Sequence, residues 1–364
     1  MLVGTSWHPG EVVTARFSPF SLAEPIVQAP LAGGPSTPAL AAAVTEAGGL
    51  GFLAAGYKRV DAVRADLDAV RGLTGRPVGI NLFAPPGRPA DPGVVQRYAS
   101  ALAGEAQRHG VALGEPRHDD DGWEDKLELV LEERVPVVSF TFGCPSREVF
   151  DALHAAGLAA WVTVTTVAEA VAARDAGADA LVVQGVEAGG HRASFDDAAP
   201  GDLGLLALLQ LVGAAVELPL VAGGGLATGR SVAAVLAAGA AAAQLGTAFM
   251  LAPEAGTAAA HRAALASDAP TALTRAFTGR TARGVVNRFM REHGERAPSA
   301  YPEVHHVTSP LRSAARERGD AEGFHVWAGQ AHALAQELPA GELVRRLGAE
   351  ARAALREAAD RLAR

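Results

Sequence analysis

Cysteine is almost missing from this chain: Cys144 is the one thiol in 364 residues. No internal disulfide can form, and such a composition fits a reducing compartment. Aromatic residues make up only 5%, too few for the stacking surface that single-stranded nucleic acid requires. Basic residues are outnumbered, 32 Lys and Arg against 40 Asp and Glu, for a net charge of −8. That balance argues against a polyanionic partner. Long apolar runs are absent too, because the alanine-rich stretches are broken by Gly, Arg or Gln, and none reads as a bilayer span. The opening residues, Met1 to His8, lack the charged and apolar regions of a secretory leader. These absences predict a soluble, cytoplasmic protein with neither nucleic acid nor membrane as partner.

What the chain has in quantity is glycine, 41 residues of it, within a composition that is 49% hydrophobic. The length suits two domains or one large α/β barrel. Short β-type runs recur at Pro25–Ala29, Gly51–Ala54, Val78–Leu82, Val137–Phe140, Ala159–Val164, Ala180–Gln184, Leu218–Ala222 and Ala242–Leu245. Helical patterns separate them, at Pro38–Ala47, Val60–Gly72, 91–133, Ser146–Ala156, Val167–Ala176, Leu203–Val216 and Arg230–Ala238. Apolar strands joined by helices imply parallel βαβ units. Their number is the one that closes a (β/α)8 TIM barrel, with a doubly wound open sheet as the alternative. Thr166 and Glu169 have the spacing of a capping box.

Two regions interrupt the rhythm. Pro85 to Pro89 opens a long insertion that runs to the acidic His118-Asp119-Asp120-Asp121 stretch, expected as a solvated loop. After Pro253 the alternation stops, and the chain reads as helices and loops, a smaller, mostly helical lid. The predicted division is a barrel over residues 20–252, a lid or small second domain over 253–335, and a C-terminal helix over 336–364 that packs on the scaffold through Leu343, Leu347, Leu355 and Leu362.

In such a barrel, chemistry collects where strands end. The sixth predicted strand ends in Gln184, and Gly185, Gly189, Gly190 and His191 follow it. Glycines there let a ligand approach bare backbone, and a neutral imidazole can exchange a proton near physiological pH. Gly223-Gly224-Gly225 follows the seventh strand, ahead of a helix near Thr228. Gln244, Leu245, Gly246 and Thr247 close the eighth. Loops after strands seven and eight commonly hold phosphate through backbone N–H groups and a helix N-terminus. Asn81 and Gln184 carry amides able to read the edge of a heterocycle. Together these predict a phosphorylated aromatic cofactor, FMN rather than a dinucleotide, because no G-x-G-x-x-G opens the first βα unit. Cys144 is expected to pack, the metal option at His118 is set aside, and His305-His306 is expected at the surface or in the lid.

The same residues carry a resemblance. Gln28-Ala29-Pro30-Leu31-Ala32-Gly33-Gly34, Ala47 to Gly51, Asn81-Leu82-Phe83, Val138 to Gly143, Val183 to Arg192, Ala222 to Gly225, Gln244 to Thr247, Phe277-Thr278-Gly279-Arg280 and Trp327-Ala328-Gly329-Gln330 resemble class I nitronate monooxygenases, the 2-nitropropane dioxygenase group. The likeness runs from about residue 25 to 335. It implies an FMN-dependent oxidoreductase that turns alkyl nitronates, such as propionate 3-nitronate, and O2 into a carbonyl compound and nitrite. It places FMN contacts on Ala29, Pro30, Asn81, Gln184, Gly189, Gly190, Gly224, Gly225, Gln244, Leu245, Gly246 and Thr247, and the catalytic histidine on His191. That histidine would act as a base on the carbon of a neutral nitroalkane. Leu31 stands where the pattern usually has Met, and Ala193 where it usually has Gly. Rival expectations are an FMN-dependent NAD(P)H enoyl-thioester reductase and a non-catalytic flavin-binding barrel. The number of subunits is left open, a homodimer included.

Overall fold

The computed structural model describes residues 16–364; the stretch Met1 to His8 lies outside the described residues. Strands and helices alternate from the start: β1 (Ile26–Gln28), α1 (Pro38–Glu46), β2 (Phe52–Ala54), α2 (Val60–Arg71) and β3 (Gly79–Phe83). Three helices, α3 (Pro92–Ala101), α4 (Ala103–His109) and α5 (Trp123–Glu132), form an excursion before β4 (Val137–Thr141). Next come α6 (Arg147–Ala155), β5 (Ala159–Val164), α7 (Val167–Ala176) and β6 (Ala180–Gln184). A two-residue strand, β7 (Gly190–His191), precedes α8 (Leu205–Ala215), β8 (Leu220–Gly223), α9 (Gly229–Ala237) and β9 (Ala242–Leu245). Beyond lie α10 (Ala259–Leu265), β10 (Thr271–Thr274), β11 (Ala282–Val285), α11 (Arg288–His293), α12 (Glu303–Glu317) and α13 (Ala340–Leu362).

Eight of the strands form one parallel sheet in the order β1-β9-β8-β6-β5-β4-β3-β2. Its two edges meet: Val27 bridges Leu50, and the N–H of Gln28 donates to the Leu50 carbonyl at 2.9 Å. The sheet is thus the expected (β/α)8 barrel, and all eight predicted strands are present. Its strands are buried on both faces, as parallel strands must be. Val27, Phe52, Val137, Trp161, Val182 and Val221 fill the interior. The rings of Phe52 and Trp161 lie 5.7 Å apart, and glycine is required at Gly79 because a Cβ there would strike the Phe52 ring. The opposite strand faces, among them Ile26, Ile80, Val162 and Val183, pack against the helices.

The chain after Pro253 departs from the helices-and-loops expectation. β10 and β11 form an antiparallel pair, and β11 also pairs with β7, setting His191 opposite Ala282. β7 is too short, and β10 too polar and half-exposed, to show a strand period in sequence. α12 lies against this sheet and the α3–α4 excursion, with Val304, Val307 and Leu311 in a core shared with Tyr98, Phe277 and Phe289. Hydrogen bonds tie the same parts together: the Thr308 hydroxyl donates to the Phe277 carbonyl, and Tyr98 Oη donates to the Ala276 carbonyl at 2.6 Å. α13 packs on the barrel through Leu343, Val344 and Leu347, while Leu355 and Leu362 further along the helix are exposed. Among the described residues, no helix is long and apolar enough to cross a membrane.

Candidate active site

A cavity of about 470 Å³ opens at the C-terminal ends of the barrel strands. Its floor is backbone. Gly223, Gly224 and Gly225 follow β8, with φ of +135° at Gly224 and +66° at Gly225. Both angles lie where side chains are disfavoured, and a Cβ on Gly225 would also press on Glu187 at 3.0 Å. Gly246 and Thr247 continue the floor after β9. Among the described residues, the N–H groups of Gly224, Gly225, Gly246 and Thr247 donate to no protein acceptor. Backbone donors left open in this way need an acceptor from a ligand or water, and four of them at adjacent strand ends suit a phosphate group.

The neighbouring helix end does not share that task. At the start of α9, Thr228 and Ser231 form a capping box, and the N–H of Gly229 donates to a Glu350 carboxylate oxygen at 3.2 Å. Donors expected for a phosphate at this helix N-terminus are therefore already used by the chain itself, and the loop amides remain.

The two amides singled out from sequence both reach the cavity, each with part of its capacity spent. Asn81 Nδ2 donates to Ser139 Oγ and to Thr141 Oγ1, each at 2.9 Å. This leaves its Oδ1 as an acceptor toward the cavity. Gln184 Oε1 accepts from Arg192 Nη1 at 3.1 Å and from the Ala193 N–H at 2.9 Å. Gln184 Nε2 donates to the His191 carbonyl at 3.0 Å, so one Nε2 hydrogen is left for a ligand. Arg192, fully buried, braces this loop, donating also to the Gly185 carbonyl at 2.7 Å. Ala29, Pro30, Gly189, Gly190 and Gln244 also line the cavity. Gly189 is pressed so closely on Gly329 that no side chain fits. Leu245 is the exception and requires a correction. Its side chain is in the core between barrel and helices, because alternate residues of a strand face opposite ways and Gln244 takes the inward position.

Above the floor stands His191. Its Nε2 lies 2.9 Å from Thr278 Oγ1, whose hydroxyl also reaches the Arg280 carbonyl at 3.3 Å. Among the described residues Nδ1 has no partner, and the ring lines the cavity. Phe142, Trp327 and Tyr301 surround it, with ring centroids 5.6, 5.4 and 6.1 Å away. Burial, and then the charge of Arg280, push its imidazole down to about 3. His191 is thus neutral across the physiological range, able to accept a proton but only a weak base while the site holds no anion. The Arg280 guanidinium lies 4.1 Å from the centre of the Phe142 ring, a cation–π contact, and is further held by the carbonyls of Arg192 and Ser194. Phe142 and Tyr57 both have positive φ, +76° and +66°. Such backbone is strained in non-glycine residues and survives where packing enforces it; here both side chains line the cavity.

The rest of the roof was not legible in sequence. His305, expected at the surface or in the lid, stacks on Tyr57 with centroids 4.3 Å apart and faces the cavity. The amphipathic α12 turns that face inward as it docks over the barrel mouth. Burial pushes His305 to about 2 and His261 to about 4, and lowers His325 well below its ordinary value. His118 leaves its acidic loop to meet Glu303 of α12, Nδ1 to Oε1 at 2.9 Å. Cys144 is partly buried, and burial pushes its thiol up to about 11, so it stays protonated.

Comparison with known proteins agrees with this geometry. The family model described as nitronate monooxygenase matches residues 15–350. A nitronate monooxygenase from Pseudomonas aeruginosa is 42% identical over 355 residues, covering 93% of this chain and all of that protein. One from Paraburkholderia phytofirmans is 42% identical over 340 residues, covering 90% of this chain and 92% of the relative. Among solved structures, a nitroalkane oxidase from Streptomyces ansochromogenes superposes with a TM-score of 0.89 at 55% identity, covering 92% of this chain and 97% of that one.

Proposed function

This chain belongs to the nitronate monooxygenase family and is an oxidoreductase acting on nitronates, and we propose that it uses FMN to convert alkyl nitronates and O2 to a carbonyl compound and nitrite. Propionate 3-nitronate is the substrate to try first. One observation carries the proposal. Among the described residues, a histidine with a free ring nitrogen faces a cavity whose floor offers four unpaired backbone N–H groups and whose wall carries no carboxylate.

The residues present fit FMN. The open amides of Gly224, Gly225, Gly246 and Thr247 would hold its phosphate, and Asn81 Oδ1 with the remaining Gln184 hydrogen would meet polar ring atoms. The bound flavin would supply the electron acceptor for the nitronate and deliver those electrons to O2.

Everything else falls to the chain. Arg280, close beneath the Phe142 and Tyr301 rings, places a positive charge beside His191. Asp197 offsets that charge in part, and the cations in the cavity wall itself, Arg312 and Arg316, favour an anionic nitro group over a neutral one. For a nitronate, which can only accept, His191 would orient the anion from its Nδ1–H tautomer, with Nε2 then accepting from the Thr278 hydroxyl. For a neutral nitroalkane, Nδ1 would take the α-proton, and Thr278 would keep the ring turned toward it. Phe142, Trp327 and Tyr301 exclude water from the reacting carbon.

The proposal predicts that FMN-loaded protein releases nitrite and consumes O2 when given propionate 3-nitronate, and that protein stripped of flavin does neither. O2 uptake without nitrite, or nitrite from the stripped protein, would overturn it.

A further inference from the structure

Asp197 lies in the loop between β7 and α8, is only 8% exposed and does not line the cavity. Both of its carboxylate oxygens are engaged. Oδ1 accepts from the Thr281 N–H at 2.9 Å, and Oδ2 accepts from Arg275 Nε at 2.8 Å and from Ser299 Oγ at 2.9 Å. Its carbonyl takes Arg275 Nη2 at 2.6 Å. Arg275 and Thr281 are the two ends of the connection between β10 and β11, which carries Thr278 and Arg280. Ser299 stands at the approach to α12, where the Ala300 N–H donates to the Gly279 carbonyl of the same connection at 2.8 Å. One buried carboxylate thus fixes, at both ends, the turn that reaches His191.

Burial works against a charge on Asp197, but Arg275, the Thr281 N–H and Arg280 outweigh it and hold the carboxyl below its ordinary value, so it is ionised at neutral pH. Arg280 is its counterpart, 7% exposed, with N–H groups turned to the carbonyls of Arg192 and Ser194. After burial, which acts most strongly on His191, these two charges oppose each other: Arg280 makes the ring harder to protonate, and Asp197 makes it easier. Charges in a buried setting are poorly screened. Thr278 completes the arrangement. Nε2–H donates to its Oγ1 at 2.9 Å, and its own hydroxyl turns to the Arg280 carbonyl at 3.3 Å, which leaves Nδ1 as the acceptor facing the cavity.

We propose that Asp197 is a positioning residue for proton transfer to His191: it clamps the Arg275–Thr281 turn so that the Thr278 hydroxyl holds Nε2, and its charge offsets that of Arg280 at the ring. This rests on the reading of His191 as the base for neutral nitroalkanes. In that step the C1–H bond breaks, an Nδ1–H bond forms, and the electron pair stays on the nitronate, so no oxidant is consumed.

The test compares 1-nitropropane with its preformed nitronate in the FMN-loaded wild type, Asp197→Asn, Ser299→Ala and Arg280→Met. The two substrates differ by the one proton that His191 must take, and flavin content reports whether each variant keeps its cavity. Asp197→Asn keeps the shape and one oxygen acceptor but removes the charge. Its kcat/KM for 1-nitropropane should fall about 10-fold, part of the roughly 10²- to 10⁴-fold for losing a base outright, and that for the nitronate by no more than about twofold. Ser299→Ala removes one hydrogen bond and leaves the charge, so the ratio of the two values should hold. Arg280→Met removes the opposing charge and should raise the ratio, a result that does not depend on how Asp197→Asn folds. Equal losses on both substrates in Asp197→Asn, a ratio that falls as far in Ser299→Ala, or one that falls in Arg280→Met would overturn the assignment. Proton transfer can also be read without oxidation. Exchange of the C1 protons of 1-nitropropane in D2O, followed anaerobically by NMR, should be slower with Asp197→Asn than with wild type. If the wild type releases no nitrite yet shows that difference, the oxidation fails and Asp197 stands; if it releases nitrite and the exchange rates are equal, Asp197 fails alone.

Discussion

The cavity has a floor and a roof built on opposite principles. The floor, from Gly223–Gly225 and Gly246–Thr247, consists of bare backbone at the ends of β8 and β9, held rigid by a parallel ladder and free of titratable groups. The roof, from Tyr57, Phe142, His191, His305, Arg312 and Trp327, consists of side chains from five separate stretches of chain. Rigid, uncharged backbone suits a group that stays bound, which we assign to the cofactor. Aromatic walls and neutral imidazoles beside the Arg312 guanidinium suit an anion that comes and goes.

Four experiments distinguish the floor from the roof. The largest effect is expected in the roof. His191→Asn should keep its flavin, and its activity on neutral nitroalkanes should fall by about 10²- to 10⁴-fold, the range for losing a general base. Activity on preformed nitronates should fall much less. Equal losses on both would remove His191 as a base and leave it a binding residue.

In the floor, Gly225→Val forces a β-branched residue to φ of +66° and against Glu187. Flavin affinity should drop by about 100-fold through strain and displacement together. Equilibrium dialysis against FMN checks this, and an unchanged affinity would take Gly225 out of the cofactor site.

Acid should act on the roof first. Histidines held neutral in the folded chain lie in it and beside it: His191 at about 3 and His305 at about 2 in the roof, and His261 at about 4 on α10, against an ordinary 6.5. Below 6.5 the unfolded chain binds protons that the folded chain refuses. This stability is therefore fully present above pH 6.5 and declines as pH falls toward 4, by up to about 1.4 kcal/mol per pH unit for each group. Tm should drop over that interval, and hydrogen exchange should rise in α12 before it rises in β8 and β9. Exchange starting in the floor strands would contradict the division.

The smallest effect is expected at α13. Glu350→Gln weakens the contact with the Gly229 N–H at the start of α9. It should cost at most about 1 kcal/mol of stability and leave FMN affinity as it was. A change in flavin affinity would mean that the α9 terminus, not only the loop amides, holds the phosphate.

The same division explains what could be read from sequence. All eight barrel strands announced themselves, because each is a short apolar run buried on both faces and bounded by turn residues. The floor followed directly, since in this fold the loop after a strand is at the active end, and Gly224, Gly225, Gly246 and Thr247 needed no further information to be placed. His191 was legible for the same reason, one loop beyond β6. Arg312 and His305 were not. They lie more than 100 residues further along on α12, and only the packing of that helix over the barrel mouth brings them to His191. The pairing of β7 with β11 was equally hidden, because two residues cannot show a period. Leu245 was misplaced by treating a whole turn as one unit when its side chains alternate between two faces.

The central claim, that this cavity passes electrons from a nitronate to FMN and on to O2, is tested most directly by anaerobic mixing of the FMN-loaded protein with propionate 3-nitronate. The account predicts a loss of flavin absorbance before oxygen enters, and nitrite with recovery of the absorbance once it does. Absorbance that ignores the nitronate but is rapidly lost on adding NADPH would contradict it and point to a reductase on the same barrel.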